Sequence, residues 1–196
     1  MGAVKSSKIV ITVKSWVEVY KMSLLNIGVG DRAPEIVNVI IEIPKGSSNK
    51  YEVDITTGIV KLDRVLYSPL FYPCEYGFIP GTLYSDGDPI DALVLTSHPT
   101  MPGCVLDCKP IGLLMMRDEK GRDDKILCVG MRDPRYNTMR SLQDVGDHVL
   151  REIVHFFEVY KQLEEKDVDV LGWDDVEMAK DTIEQFRIRT QDATIV

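Results

Sequence analysis

The seven residues Val37–Ile43, VNVIIEI, constrain this chain most, because Val37, Val39, Ile41 and Ile43 alternate with Asn38, Ile40 and Glu42. A period of two residues puts the first four on one face of an extended strand and demands a core for that face to cover. It also leaves Glu42 as a lone carboxylate on an otherwise apolar strand. The pattern continues in short pieces. KGSSN reads as a turn, KYEVD as a strand, TTG as a tight turn and IVKLDRVLY as the hairpin partner, with Lys50, Glu52 and Asp54 on one face. After the loop SPLFYPCEYGFIPG, strands are predicted at ALVLT, VLDCKPIGLL and KILCVGM. Short strands with turn signals about every ten residues imply a small barrel or a sandwich. Two helices are predicted to close the chain. Val149, Ile153, Phe156, Phe157, Tyr160 and Leu163 repeat at three and four in the first; Val176, Ala179, Ile183 and Phe186 do so in the second, after a cap at Asp174 or Asp175.

With 196 residues, 44% of them hydrophobic, the chain can bury one substantial core, and residues 22–196 read as a single domain. Residues 1–21 read as an extension upstream of it, with Met22 an alternative start. MGAVKSS matches the myristoylation pattern at Gly2, but that pattern is permissive. The apolar run Ile9–Val13 is too short for a secretion signal or a membrane span. Cys74, Cys104, Cys108 and Cys128 lack paired zinc-site spacing and read as reduced thiols of a cytoplasmic protein. A net charge of −8 opposes nucleic acid and anionic membranes as partners. A small anion can still bind where cations bridge it.

DGDPID, Asp86 to Asp91, concentrates three carboxylates within six residues. Such a cluster either stays solvated or holds hard, oxygen-seeking ions such as Mg²⁺. An EF-hand is excluded, since Asp91 stands at the sixth position, where that loop needs Gly. A second acidic group, RDEKGRDDK, offers Asp118, Glu119, Asp123 and Asp124 beside Lys125; alone it reads as an ordinary charged turn. Together the two runs could supply carboxylates from separate segments, as metal-dependent phosphoryl transfer requires for ions about 3.5–4 Å apart. Lys50, Arg64, Lys125 and Lys161, with Tyr72, Tyr76 and Tyr160, are candidates to hold phosphates.

IEIPKGSSNKYEVD, LDRVLYS, FYPCEYGFIPGTL, DGDPIDALV, DEKGRDDKI and HFFEVYKQLE, in this order and approximate spacing, resemble the soluble family I inorganic pyrophosphatases of prokaryotic type. The resemblance runs from about Met22 to the final helix, with DGDPID as its signature. It implies a mainly β (α+β) fold, an OB-like five-stranded β-barrel with flanking α-helices. It implies hydrolysis of pyrophosphate to two orthophosphates with several Mg²⁺ ions, which Mn²⁺ or Zn²⁺ could replace. Carried over, Asp86, Asp91 and Asp123 would bind the first metal, with Asp91 reaching a second, while Glu42, Asp118 and Asp123 would hold those arriving with substrate. Asp88 would be the general base. Lys50, Arg64, Tyr76, Lys125, Tyr160 and Lys161 would grip phosphate, and Glu52, Asp63 and Tyr72 would stand in or beside the site. The family also implies a homo-oligomer, the length favouring a hexamer. It makes no catalytic use of His98, His148 or His155, the last expected near a subunit contact.

Two other readings compete. An OB-type module binding nucleic acid or oligosaccharide would show a basic, aromatic face, whereas the strands here carry Glu42, Glu52 and Asp54 beside Lys50. A nucleoside triphosphate hydrolase would need a base- or phosphate-binding motif, and no GxxxxGK[ST] run is present.

Overall fold

The computed structural model describes residues 27–54 and 57–188. The expectations for the extension 1–21, the Met22 start, part of the TTG turn and the closing QDATIV fall outside these residues. In chain order the elements are β1 (Val37–Ile43), β2 (Asn49–Val53), β3 (Val60–Val65), β4 (Glu75–Phe78), β5 (Asp91–Leu95), β6 (Val105–Asp118), β7 (Gly121–Arg122) and β8 (Lys125–Gly130), followed by α1 (Asp147–Val159), β9 (Asp169–Asp174) and α2 (Val176–Phe186).

Five strands close into a ring. β1 pairs antiparallel with β4, β4 antiparallel with β5, β5 parallel with β8, β8 antiparallel with β6, and β6 returns to β1. The expected mainly β architecture with five strands in a ring and flanking helices is therefore present. β6 is long enough to serve several partners, pairing with β1 near its start and with β7 and β9 towards its end. β9 was not expected. DVLGWD is short, contains a glycine and lies between two helical stretches, and its place comes from register with Leu113–Arg117.

Both faces of the ring strands are covered, which explains the unbroken apolar runs. Ala92 and Val94 of β5, with Ile126 and Cys128 of β8, join one buried cluster that includes Ala179 and Ile183 of α2. Leu93 and Leu95, with Leu127 and Val129, join a second that includes Ile153, Phe156 and Phe157 of α1. Burial of each Val, Leu, Ile or Phe among them stabilises by about 2 kcal/mol. The other face of β1 is covered by the β2–β3 hairpin, which places Val53 against Ile40 and Phe78. Glu42 is drawn inside by the same packing.

The helix ends differ in part from expectation. Asp175, not Asp174, caps α2: its Oδ1 accepts the backbone N–H groups of Glu177 and Met178, each at 3.0 Å. α1 ends at Val159, so Leu163 lies beyond it and is exposed, and Glu165 in the left-handed region turns the chain towards β9. Cys74, Cys104, Cys108 and Cys128 are free, as expected.

Candidate active site

Glu42 sits where the β1–β4 register shifts between Ile41 and Ile43. That irregularity re-aims its side chain, and Oε1 accepts the Val53 N–H at 2.7 Å across to the hairpin. Burial pushes its carboxyl up to about 7 against the opposing effect of that hydrogen bond, and Asp91 adds repulsion. The Lys50 charge opposes that rise but does not cancel it.

The hairpin supplies cations. Lys50 and Arg64 are register partners on β2 and β3, next to a second irregularity, so both reach the same edge. Asp63 accepts from Lys50 at 3.1 Å and also from Arg64, while Glu52 accepts from Lys50. Arg64 Nε donates to Glu164 at 2.9 Å. Burial works to lower both cations, but these carboxylates hold them above their usual range.

Asp91 begins β5 and is the parallel register partner of Lys125, which begins β8. Lys125 Nζ lies 2.6 Å from Asp91 Oδ2 and 2.6 Å from Asp123 Oδ1. The Tyr76 hydroxyl donates to the same Asp91 oxygen at 2.6 Å. The Lys125 side chain is 1% exposed; burial alone would depress it, but Asp91 and Asp123 together hold it charged. Burial raises Asp123 to about 6, with Lys125 opposing and Asp91 reinforcing the rise.

The third side comes from the end of α1. Phe156 stacks on Tyr160 at 5.3 Å and meets Tyr72 at a tilt at 4.8 Å between ring centroids, so the apolar stripe of the helix delivers the Tyr160 hydroxyl to the site. Lys161 follows, donating to Asp118 at 2.9 Å and to Glu119 at 3.2 Å. Asp86 and Asp88 lie on the exposed β4–β5 loop, where the Asp88 N–H donates to Asp86 Oδ1 at 3.1 Å. Partial burial and the Asp86 charge raise Asp88.

These groups converge on a single cleft of about 450 Å³. Glu42, Lys50, Glu52, Asp63, Arg64, Tyr76, Asp86, Asp88, Asp91, Asp118, Asp123, Tyr160 and Lys161 all line it. Lys125 and Tyr72 stand behind that wall, buried against Asp91 and Phe156 respectively. A second cavity of about 470 Å³, bordered by Ser97, His98, Arg132 and Arg135, contains none of the predicted site residues. Among the described residues, no three His, Cys, Asp or Glu side chains are gathered tightly enough to hold an ion as they stand. The carboxylates are drawn instead to Lys50, Lys125 and Lys161.

Glu119, offered by the second acidic run, also lines the cleft; sequence reasoning missed Lys120 and Lys166 as lining residues, and Glu164 as the partner of Arg64. Glu164 and Lys166 come from the turn after α1, where charge reads as solvated surface and only the left-handed Glu165 reveals the reversal. His98, His148 and His155 are exposed and lie outside the cleft.

The family profile described as inorganic pyrophosphatase matches residues 39–191. An inorganic pyrophosphatase of Methanosarcina acetivorans is 54% identical over 155 residues, covering 79% of this chain and 92% of the relative. The crystal structure of inorganic pyrophosphatase from Thermus thermophilus superposes with a TM-score of 0.80 at 48% identity, over 83% of this chain and 95% of that one. That from Helicobacter pylori gives 0.76 at 42%, over 79% and 92%. With the ring, the acidic cleft and these likenesses in agreement, the chain belongs to the inorganic pyrophosphatase family.

Proposed function

We propose that this chain hydrolyses inorganic pyrophosphate to two orthophosphates with divalent cations, Mg²⁺ foremost, and with Asp88 as general base. The observation that carries the reading is that acidic side chains from three separate segments, at Glu42, Asp86–Asp91 and Asp118–Asp123, face the same cleft as Lys50, Arg64, Tyr160 and Lys161.

The donor set fits a hard cation. Every candidate ligand is a carboxylate oxygen, and burial raises two of them, Glu42 and Asp123, to about 7 and about 6. Cations in the cleft relieve that crowding. Glu42, Asp86, Asp91, Asp118 and Asp123 would hold them, with Mn²⁺ or Zn²⁺ able to replace Mg²⁺. When bound, divalent ions neutralise phosphate oxygens and acidify the attacking water.

The remaining work falls to the chain itself. Lys50, Arg64 and Lys161 neutralise and orient the substrate phosphates, while the Tyr160 hydroxyl offers a donor from the aromatic wall. Tyr76 and Lys125 fix one oxygen of Asp91 and so set the direction of the other. Asp88 is exposed, raised by its surroundings and, among the described residues, without a cationic hydrogen-bond partner, which suits a carboxylate that accepts a proton from the water. Purified protein supplied with pyrophosphate and Mg²⁺ is expected to release two phosphates per substrate; no release under those conditions would sink the reading. Running ATP alongside should give far slower release.

The nucleic-acid or oligosaccharide module is not favoured, since the family match spans the ring and the cleft is lined mainly by carboxylates. The same reading carries a cytoplasmic homo-oligomer, a hexamer first, and the exposed Leu62, Val65, Tyr67 and Phe71 offer apolar surface to a second copy. Light scattering checks the subunit number; a monomer at working concentration would reject it.

A further inference from the structure

The loop carrying Asp86 and Asp88 and the segment carrying Asp123 and Lys125 are distant in sequence, yet one enclosed contact joins them. Asp124 follows Asp123 but turns the other way: Asp123 lines the cleft, whereas Asp124 is 2% exposed and absent from its lining. Its Oδ2 accepts the Tyr84 hydroxyl at 2.8 Å and the Arg122 Nε–H, and its Oδ1 accepts the Met116 N–H at 3.2 Å. Three donors satisfy a carboxylate that burial would otherwise penalise.

Tyr84 is also the floor of the acidic loop. Its backbone N–H donates to the Asp88 carbonyl at 2.7 Å, and its carbonyl accepts the Gly87 N–H at 3.1 Å. Its ring packs against Phe186 of α2, with centroids 4.6 Å apart. One residue thus grips Asp88 through main chain and Asp124 through side chain. The neighbouring loop residues from Ser85 to Asp88 are all exposed, so little else restrains them.

We infer that the Tyr84–Asp124 hydrogen bond is a positioning clasp for the cation site: it sets the offset between the loop bearing Asp86 and Asp88 and the segment bearing Asp123. The inference rests on the function proposed above. Mg²⁺ tolerates little departure from octahedral oxygen geometry, and carboxylates brought together repel until a cation arrives. Without the clasp, the exposed loop swings away from Asp123, and the first cation must pull it back at the expense of affinity. Neither Tyr84 nor Asp124 borders the cleft, so their contribution is to placement rather than to contact with substrate.

The test uses the full chain and Mn²⁺ alone as probe, with free Mn²⁺ read by electron paramagnetic resonance in the absence of substrate. Tyr84→Phe keeps the ring on Phe186 and removes only the hydroxyl. It is expected to weaken Mn²⁺ binding about ten-fold, the usual scale for losing a partner just outside a metal's ligands. In turnover it should raise the Mg²⁺ needed for half-maximal rate by a similar factor, while kcat at saturating Mg²⁺ returns close to wild type. Asp124→Asn, which keeps one acceptor oxygen, should show a smaller shift in the same direction. Asp175→Ala, which removes the α2 cap at the opposite end of that helix from Phe186, serves as a stability control and should leave Mn²⁺ affinity unchanged. A lower melting temperature in Tyr84→Phe with unaltered Mn²⁺ affinity would overturn the clasp and leave the bond purely structural. If the wild-type chain itself bound no Mn²⁺ and released no phosphate, the failure would lie with the proposed function.

Discussion

Lys125 Nζ bridges Asp91 and Asp123 across the parallel β5–β8 pairing, 2.6 Å from an oxygen of each, with its own side chain 1% exposed. Breaking a buried pair by removing one partner strands the other, at a cost of about 3–5 kcal/mol. Lys125→Met, which keeps most of the volume, should therefore lower stability by about 3 kcal/mol in EDTA at neutral pH. The loss should shrink below pH 6, where Asp123 takes up a proton. Urea titrations at two pH values measure both effects, and equal losses at each would refute the electrostatic account.

Asp88 is exposed, and its side chain makes no hydrogen bond that holds the fold among the described residues. Asp88→Asn should leave the melting temperature within a few degrees of wild type. It should reduce kcat by at least about a hundred-fold, the scale of lost general-base help. Near-normal turnover in this variant would remove Asp88 from the base role.

Glu42 gives the metal-free protein a pH dependence of definite sign. Its folded carboxyl titrates at about 7 against an ordinary 4.5, so between these values the native state binds more protons than the unfolded state. Stability contributed by the protonated form is complete below pH 4.5 and is lost as pH rises through 7, a change on the order of 3 kcal/mol. Asp123, raised to about 6, acts in the same direction. Glu42→Gln still accepts the Val53 N–H and should flatten this fall, as seen in unfolding midpoints across pH in EDTA. A slope identical to wild type would show that Glu42 is not its source.

Gly77 lies so close to β1 that an added Cβ would stand 2.0 Å from the Ile40 carbonyl oxygen. Backbone cannot yield that much without breaking the β1–β4 pairing that shapes the Glu42 irregularity. Gly77→Ala should cost about 3 kcal/mol, the upper part of the range for overfilled cores, and should reduce turnover as well. An unchanged urea midpoint would contradict the close approach.

How far the sequence could be read depended on whether local pattern or distant contact decided a residue's place. The alternation around Val37–Ile43 announced a strand, but the burial of Ile40 and Glu42 depends on a hairpin folding over the opposite face. Tyr160 and Lys161 were legible because a helical stripe aims them, whereas Leu163 was misassigned because the helix stops at Val159. The acidic residues of the cleft were legible from their density and their resemblance to a known family. Glu164 and Lys166 were not, since their role depends on a chain reversal whose signal is one left-handed residue. Asp124 reads as part of a charged turn; only the placement of Tyr84 and Met116 shows that it points inward.

The ring closes only when β8 enters between β5 and β6, and β8 is made after the last of the cleft's acidic residues, Asp118 and Asp123. Contacts between such distant parts of a chain form slowly, because the intervening loop must first surrender its freedom. During synthesis, therefore, an emerging chain can fold the β2–β3 hairpin early but cannot display a competent cation site until β8 has followed β6. Activity should appear in one step late in translation, and fragments ending before β8 should be silent rather than weakly active.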